Sequence, residues 1–273
     1  MSVPEQDFHW ADSDVHRYHR AVGWNHELDI ALPTFAMTAP GMFGVASPEF
    51  YRPEPPEVRF PGVRLNLATL LHREQDIVVH RRIPVAGRAS SRSEIVEVED
   101  LGTAAVLVQH TTLADPDGHP LITGVSRIHA RGEGGCGGPP GAATAPTPDR
   151  RPDTCSDLPT TPQQALRYQR CGRGNSMRNN VHTDPAFAEA AGFPMPILQG
   201  ACTYAMVCAT VLETLAQADP GRVRRYSARF LGVVFPGETL RTRMWADDSA
   251  CRFVTSVLER AEKPVLSGTL TIG

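Results

Sequence analysis

The residues able to do chemistry crowd into one stretch, Tyr168 to Tyr204, which reads YQRCGRGNSMRNNVHTDPAFAEAAGFPMPILQGACTY. It holds His182, Asp184 two residues on, the asparagines Asn175, Asn179 and Asn180, Arg173, and the thiols Cys171 and Cys202. Histidine is the side chain most readily tuned to take and return a proton near neutral pH. Asp184 has a different look, because it precedes a proline and an alanine-rich segment, the arrangement of a helix N-cap. The asparagines can orient a water or bind a carbonyl, but an amide exchanges no proton at neutral pH. Arg173, if it enters a pocket, stabilises an anion or a substrate carboxylate. Gly200 opens a long apolar run whose helix would start with unpaired N–H groups and a positive dipole, a fit for developing oxyanion charge. Tyr204 and Met206 lie inside that run and read as core or tunnel lining, and the cysteines as small buried hydrophobes.

Other chemistries lack their residues. The lysine is Lys263 alone, which argues against Schiff-base catalysis. Neither HExxH nor GxSxG occurs. His16 and His19 sit three apart in a helix-compatible segment, yet no further ligands cluster near them, so no metal is expected. Gly132, Gly134 and Gly137 have GxGxxG spacing without the strand, turn and helix of a dinucleotide site, and no cofactor is expected. The 6 cysteines are irregularly spaced and read as reduced thiols. A net charge of -3 gives no general attraction to nucleic acid or anionic lipid. The polar, acidic start and the lack of a spanning apolar run point to the cytoplasm.

The elements that must position these residues come in two sets. At 273 residues, with 41% hydrophobic and 21% charged, the chain has room for one large or two small units. A Gly/Pro-rich stretch over 132–162 has almost no large apolar residue and reads as a linker between units 1–131 and 163–273. In the first unit, Val15 to Val22 suits a helix, Pro33 to Val45 is an interrupted apolar run, and Gln75–Ile83, Ser93–Val98, Ala104–Thr112 and Leu121–Ala130 read as strands. In the second, the Gly200 run has helical spacing, with Val223–Leu231, Thr239–Ala246, Arg252–Glu259 and Val265–Ile272 strand-like after it. One apolar helix followed by strands, stated twice, predicts a duplicated α+β unit whose first helix is degraded.

The Tyr168–Tyr204 stretch resembles the signature of MaoC-like (R)-specific enoyl-CoA hydratases, and Ala31–Met37, Leu70–Gly87 and Ala228–Trp245 resemble the equivalent stretches of the double-hotdog members. The resemblance implies an α+β fold of two tandem hotdog units, each an antiparallel sheet wrapped around a helix. The first unit, without the catalytic motif, would help to hold the acyl chain, and the second would carry the motif. It further implies an acyl thioester substrate on coenzyme A or acyl carrier protein, and reversible addition of water through an enolate-like state. His182 matches the family histidine and Gly200 the glycine whose amide faces the thioester carbonyl. His72 falls in a stretch of structural character in the family.

The spacing from Tyr168 to His182 is longer than in the GDxNPLH pattern, so two alignments compete. One puts Arg173 at the family Asp and Asn175 at its Asn; the other puts Met177 and Asn179 there, and neither supplies a carboxylate. Gln199 stands where the family has a histidine. His182, Gly200, Asn179 and Arg173 are thus the catalytic candidates, with Asn175, Gln199, Tyr204 and Asp184 as substrate-binding candidates. Hydration or dehydration is the default reaction, with double-bond migration or cyclisation in specialised metabolism, such as polyketide chemistry, also open. A non-catalytic acyl-binding subunit is the rival. Two tandem units can pair their sheet edges within one chain, so a homodimer is compatible but not required.

Overall fold

The structure is a computed structural model describing residues 5–26, 29–43, 58–60, 63–65, 70–140, 147–172, 180–215 and 218–273. Along the first half run β1 (Gln6–Trp10), α1 (Asp12–Ala21), a 3-10 turn (Pro33–Thr38), the hairpin β2 (Val58–Phe60) and β3 (Val63–Leu65), β4 (Leu70–Val79), β5 (Gly87–Asp100), β6 (Ala104–Ala114) and β7 (Pro120–Arg131). The second half has β8 (Thr154–Pro159), α2 (Gln164–Gln169), α3 (Pro185–Ala190), α4 (Gly200–Leu215), β9 (Val223–Phe230), β10 (Thr239–Ala246), β11 (Ala250–Val257) and β12 (Lys263–Ile272).

Strand order in the main sheet is β1-β5-β6-β7-β4-β9-β12-β11-β10-β8, and the pairings between neighbours are antiparallel. Read from its outer edge, each half places its own strands in the sequence first, third, fourth, fifth, second. The halves are therefore two copies of one topology, joined where β4 pairs β9, and the tandem hotdog architecture expected from the sequence is present. On the outer face of the join, Arg225 forks onto Asp76, with Nε 2.9 Å from Oδ1 and Nη2 2.6 Å from Oδ2. Beside it Glu74 is shared by Arg229, Arg127 and Arg73.

Alternation explains the inner face. In β9, Tyr226 and Ala228 are buried while Arg225, between Arg224 and Tyr226, is exposed, so from Arg225 on one side of the strand meets the helices and the other meets water; Val223 is buried out of phase, where the pairing with β12 shifts register between Thr271 and Ile272. Against the C-terminal half lies α4, apolar all round, with every residue from Ala201 to Leu212 buried. Among the described residues, the N-terminal half has no such helix in the corresponding place. Its 3-10 turn at Pro33–Thr38 packs on α4, and Pro40 and Gly41 follow it, so the degraded first helix expected from the sequence is what the half contains.

The stretch 132–162 is not linker throughout. Thr154–Pro159 is β8, an edge strand hydrogen-bonded to β10 from Thr154↔Met244 to Pro159↔Thr239. Its short, polar, alternately exposed sequence concealed it, because an edge strand buries little. The glycines at the front of the stretch wrap a carboxylate, since Asp100 accepts the N–H groups of Gly102, Gly135 and Gly137. Those bonds hold the Asp100 pKa below the ordinary value, and a side chain on Gly134 would collide with the Gly102 backbone.

Candidate active site

Two chain segments meet at the start of α4. Ile197 N–H donates to Val181 O at 3.1 Å, and His182 Nδ1 lies 3.0 Å from Ile197 O. A carbonyl can only accept, so Nδ1 carries the proton and Nε2 keeps its lone pair. This two-point tie sets the imidazole against the Ile197–Gln199 segment, which leads directly into Gly200. Asn180, itself buried, shapes the turn: its Oδ1 accepts His182 N–H at 2.9 Å and its carbonyl accepts from Thr183 and Asp184. Burial disfavours the imidazolium and lowers the His182 pKa from 6.5 to about 4. The ring is therefore neutral at pH 7, which is the form that can accept a proton.

Gly200 begins α4, and the N–H groups of Cys202 and Thr203 turn back to Gln199 O. The amides of Gly200 and Ala201 are those the helix cannot satisfy within itself. Leu198 N–H donates to Val234 O at 2.7 Å, fixing the approach to the helix from the opposite side. A Cβ on Gly200 would lie 3.2 Å from the Phe230 ring, so glycine allows a close approach here.

The other sequence candidates divide. Arg173, Asn175, Met177 and Asn179 lie outside the described residues. Asp184 is the N-cap of α3, its Oδ1 3.1 Å from Ala186 N and 3.3 Å from Phe187 N. Gln199 donates from Nε2 to Ala165 O and to Gln169 Oε1, tying α2 to the start of α4, while its buried Oε1 has no partner among the described residues. Tyr204 is fully buried and exchanges hydrogen bonds with Tyr226, each hydroxyl donating to the other's carbonyl. Its hydroxyl is committed to the core, and burial raises its pKa.

His19 Nε2 accepts Leu32 N–H at 3.1 Å, so its ring faces inward and does not join His16 on a helix face. The 6 cysteines are free, and burial raises the Cys171 thiol to about 11. Among the described residues, Asp115, Asp117 and His119 bring potential ligand atoms together in the β6–β7 turn. There the Asp115 carboxylate accepts the N–H groups of Asp117 and His119, as turn aspartates do. Sequence reasoning missed the Ile197 carbonyl, Asn180 as the turn former, and Phe230. A backbone acceptor leaves no mark in residue identity, and Phe230 reaches the site from the far end of β9, the strand after α4.

Comparison with known proteins matches both halves. The MaoC like domain model matches residues 143–269, and the MFE-2 hydratase 2 N-terminal domain model matches residues 8–132. The enoyl-CoA hydratase ChsH3 of Mycobacterium tuberculosis is 39% identical over 97% of this chain and 94% of its own length. The 3-hydroxyacyl-thioester dehydratase Y of the same organism is 34% identical over 87% of this chain and 82% of its own. A MaoC-like dehydratase structure from Phytophthora capsici superimposes with a TM-score of 0.82 at 26% identity, covering 98% of this chain and 94% of that one. A further Mycobacterium tuberculosis structure, described as a double hotdog fold, shares the fold at a TM-score of 0.53 and 13% identity, covering 98% of this chain and 96% of that one.

Proposed function

The chain belongs to the MaoC-like dehydratase family, and from that premise we propose that it interconverts a trans-2-enoyl and a 3-hydroxyacyl thioester of coenzyme A. Its relatives are named as hydratases and dehydratases, so the chemistry is that of a lyase. The observation that carries the reading is the fixed tautomer of His182, whose Nδ1–H is held by Ile197 O and whose Nε2 is left as a base.

In the hydration direction, Nε2 takes a proton from water as the water oxygen bonds to the β-carbon. The π electrons shift through the α-carbon, and negative charge gathers on the thioester oxygen. In this reading the Gly200 amide, at the positive end of α4, receives that charge. Collapse of the enolate takes a proton at the α-carbon, and the imidazolium is the group in hand to supply it. Dehydration is the reverse. Hydrogen bonds from preorganised amides to an enolate are worth a few kcal/mol of barrier each, and positioned acid–base groups about 100-fold or more.

His182 and Gly200 are the catalytic residues of this reading, with Asn180 and Ile197 as positioning residues. Asp184 acts through the α3 cap and Gln199 through the α2 contact. The N-terminal unit, 1–131, holds the acyl group, and the reduced thiols fit a cytoplasmic setting. Incubation of the protein with short, medium and long trans-2-enoyl-CoA and 3-hydroxyacyl-CoA, followed by mass spectrometry, tests the reading. Gain or loss of one water is expected. A product of unchanged mass would make it an isomerase or cyclase instead, and turnover of acyl-carrier-protein thioesters alone would replace the carrier.

A further inference from the structure

Gly200 shares a peptide group with Gln199, so whatever holds Gln199 aims the Gly200 N–H. A trans peptide is planar, and its C=O and N–H point in opposite directions. Gln199 O accepts the N–H groups of Cys202 at 3.0 Å and Thr203 at 3.1 Å, which turns its carbonyl along α4 and the Gly200 N–H back out of the helix end. Those two bonds move with the helix, so they fix the direction of the N–H relative to α4 but not relative to the rest of the molecule.

The Gln199 side chain supplies the outside anchor. Its Nε2 lies 3.0 Å from Ala165 O and 2.9 Å from Gln169 Oε1, both on α2. A carbonyl only accepts, so the atom facing Ala165 is the NH2 group, and both of its hydrogens are committed to α2. Gln199 Oε1 is buried with no partner among the described residues, a penalty that an apolar side chain of the same length would avoid. The amide is kept for what its nitrogen does. A histidine, the residue of the family signature at this place, has no NH2 group and could not bridge the two acceptors from one atom. In turn α2 is fixed to the N-terminal half: Gln164 Nε2 donates to Ala21 O at the end of α1, Thr161 Oγ1 donates to Gln164 Oε1, and Tyr168 packs on Tyr18 with ring centroids 6.0 Å apart.

We infer that Gln199 is a positioning residue for the reaction, whose doubly donating amide holds the Gly200 peptide plane against α2, so that the N-terminal half sets the aim of the oxyanion donor through α1, α2 and Gln199. The inference rests on the acyl-thioester reading above and deepens it. A donor that swings off line weakens its bond most where charge on the thioester oxygen is greatest, in the enolate-like state. The loss therefore falls on kcat and spares ground-state binding.

The test compares kcat and KM for trans-2-enoyl-CoA hydration in wild type, Gln199→Met and Gln199→Glu, with calorimetric affinity for the saturated acyl-CoA and thermal unfolding measured alongside. Gln199→Met keeps the length and loses both donors. It is expected to lower kcat by about tenfold or more, while KM and the affinity for saturated acyl-CoA stay within about twofold of wild type. Gln199→Glu carries a signature that lost stability alone would not give, because a carboxylate donates nothing whereas a carboxylic acid donates one bond, and burial against two acceptors raises its pKa. Its rate relative to wild type is expected to recover as pH falls from about 8.5 to about 6, a window in which His182, with its pKa lowered to about 4, stays neutral. Gln199→Asn, an amide too short to span both acceptors, is expected to lower kcat in the same direction and serves if the methionine variant unfolds. A kcat within about threefold of wild type in folded Gln199→Met, a raised KM with kcat kept, or a Gln199→Glu deficit equal at both ends of the pH range would overturn the positioning role. Wild type that turns over no CoA thioester would instead overturn the reading on which it rests.

Discussion

His182 is held in one protonation state by two separate effects. Its Nδ1–H is committed to Ile197 O, and desolvation keeps the second proton off until about pH 4. A base of this kind loses activity on acidification only when Nε2 is protonated. The kcat/KM profile is therefore expected to stay flat from neutral pH down through 6.5 and to fall with a midpoint close to 4. An acid limb centred at the ordinary histidine value, recorded where circular dichroism shows the fold intact, would contradict the neutral, desolvated ring. At this scale the sequence made His182 and Gly200 legible because side-chain type and order survive in a one-dimensional pattern. It could not disclose the Ile197 acceptor, since every residue has a carbonyl, nor Phe230, which is brought to Gly200 by the strand after α4 and not by proximity in the chain.

The helices position these groups through their ends. For α4 the decisive position is Gly200, where an added methyl meets Phe230 at 3.2 Å. Gly200→Ala is expected to push the helix start away from the ring and lower kcat by about tenfold with KM little changed, since in the proposed reaction the amide acts most strongly on the enolate. Steady-state kinetics separate this from a loss of binding, which would raise KM instead. At α3 the capping carboxylate of Asp184 answers two N–H groups, and Asp184→Ala is expected to cost about 1 kcal/mol by denaturant unfolding. The α4 helix was legible because a long apolar run with helical spacing has one structural outcome. By contrast β8 was not: a short polar edge strand lacks any period strong enough to separate it from the glycine- and proline-rich residues around it.

Across the whole molecule, two copies of one topology share a sheet through β4 and β9, and three buried or half-buried histidines are kept neutral by desolvation. His19, His72 and His182 each have a pKa lowered from 6.5 to about 4. The unfolded chain binds more protons than the folded one between those values, so stability falls as pH drops through that window. The slope reaches up to about 1.4 kcal/mol per pH unit for each ring. Urea unfolding at a series of pH values is expected to show that decline, with a shallower one in His19→Gln. The duplication itself was legible from repeated strand-like segments. Pairing of the sheet edges within the chain was anticipated, but not which strands would join, because β4 and β9 are far apart in the chain and their charge pairs, such as Asp76 with Arg225, look like ordinary surface residues in sequence.

In the proposed reaction the three scales meet: a neutral His182, set beside the start of α4 by the tandem fold, would move the proton as water adds to an enoyl thioester. The decisive experiment is kcat for trans-2-enoyl-CoA hydration in wild type and His182→Ala, with thermal unfolding of both followed in parallel. The variant is expected to unfold like wild type within a few degrees and to lose about 100-fold or more in kcat. A folded His182→Ala protein that keeps its rate within about threefold of wild type, well short of an acid–base contribution, would contradict that role.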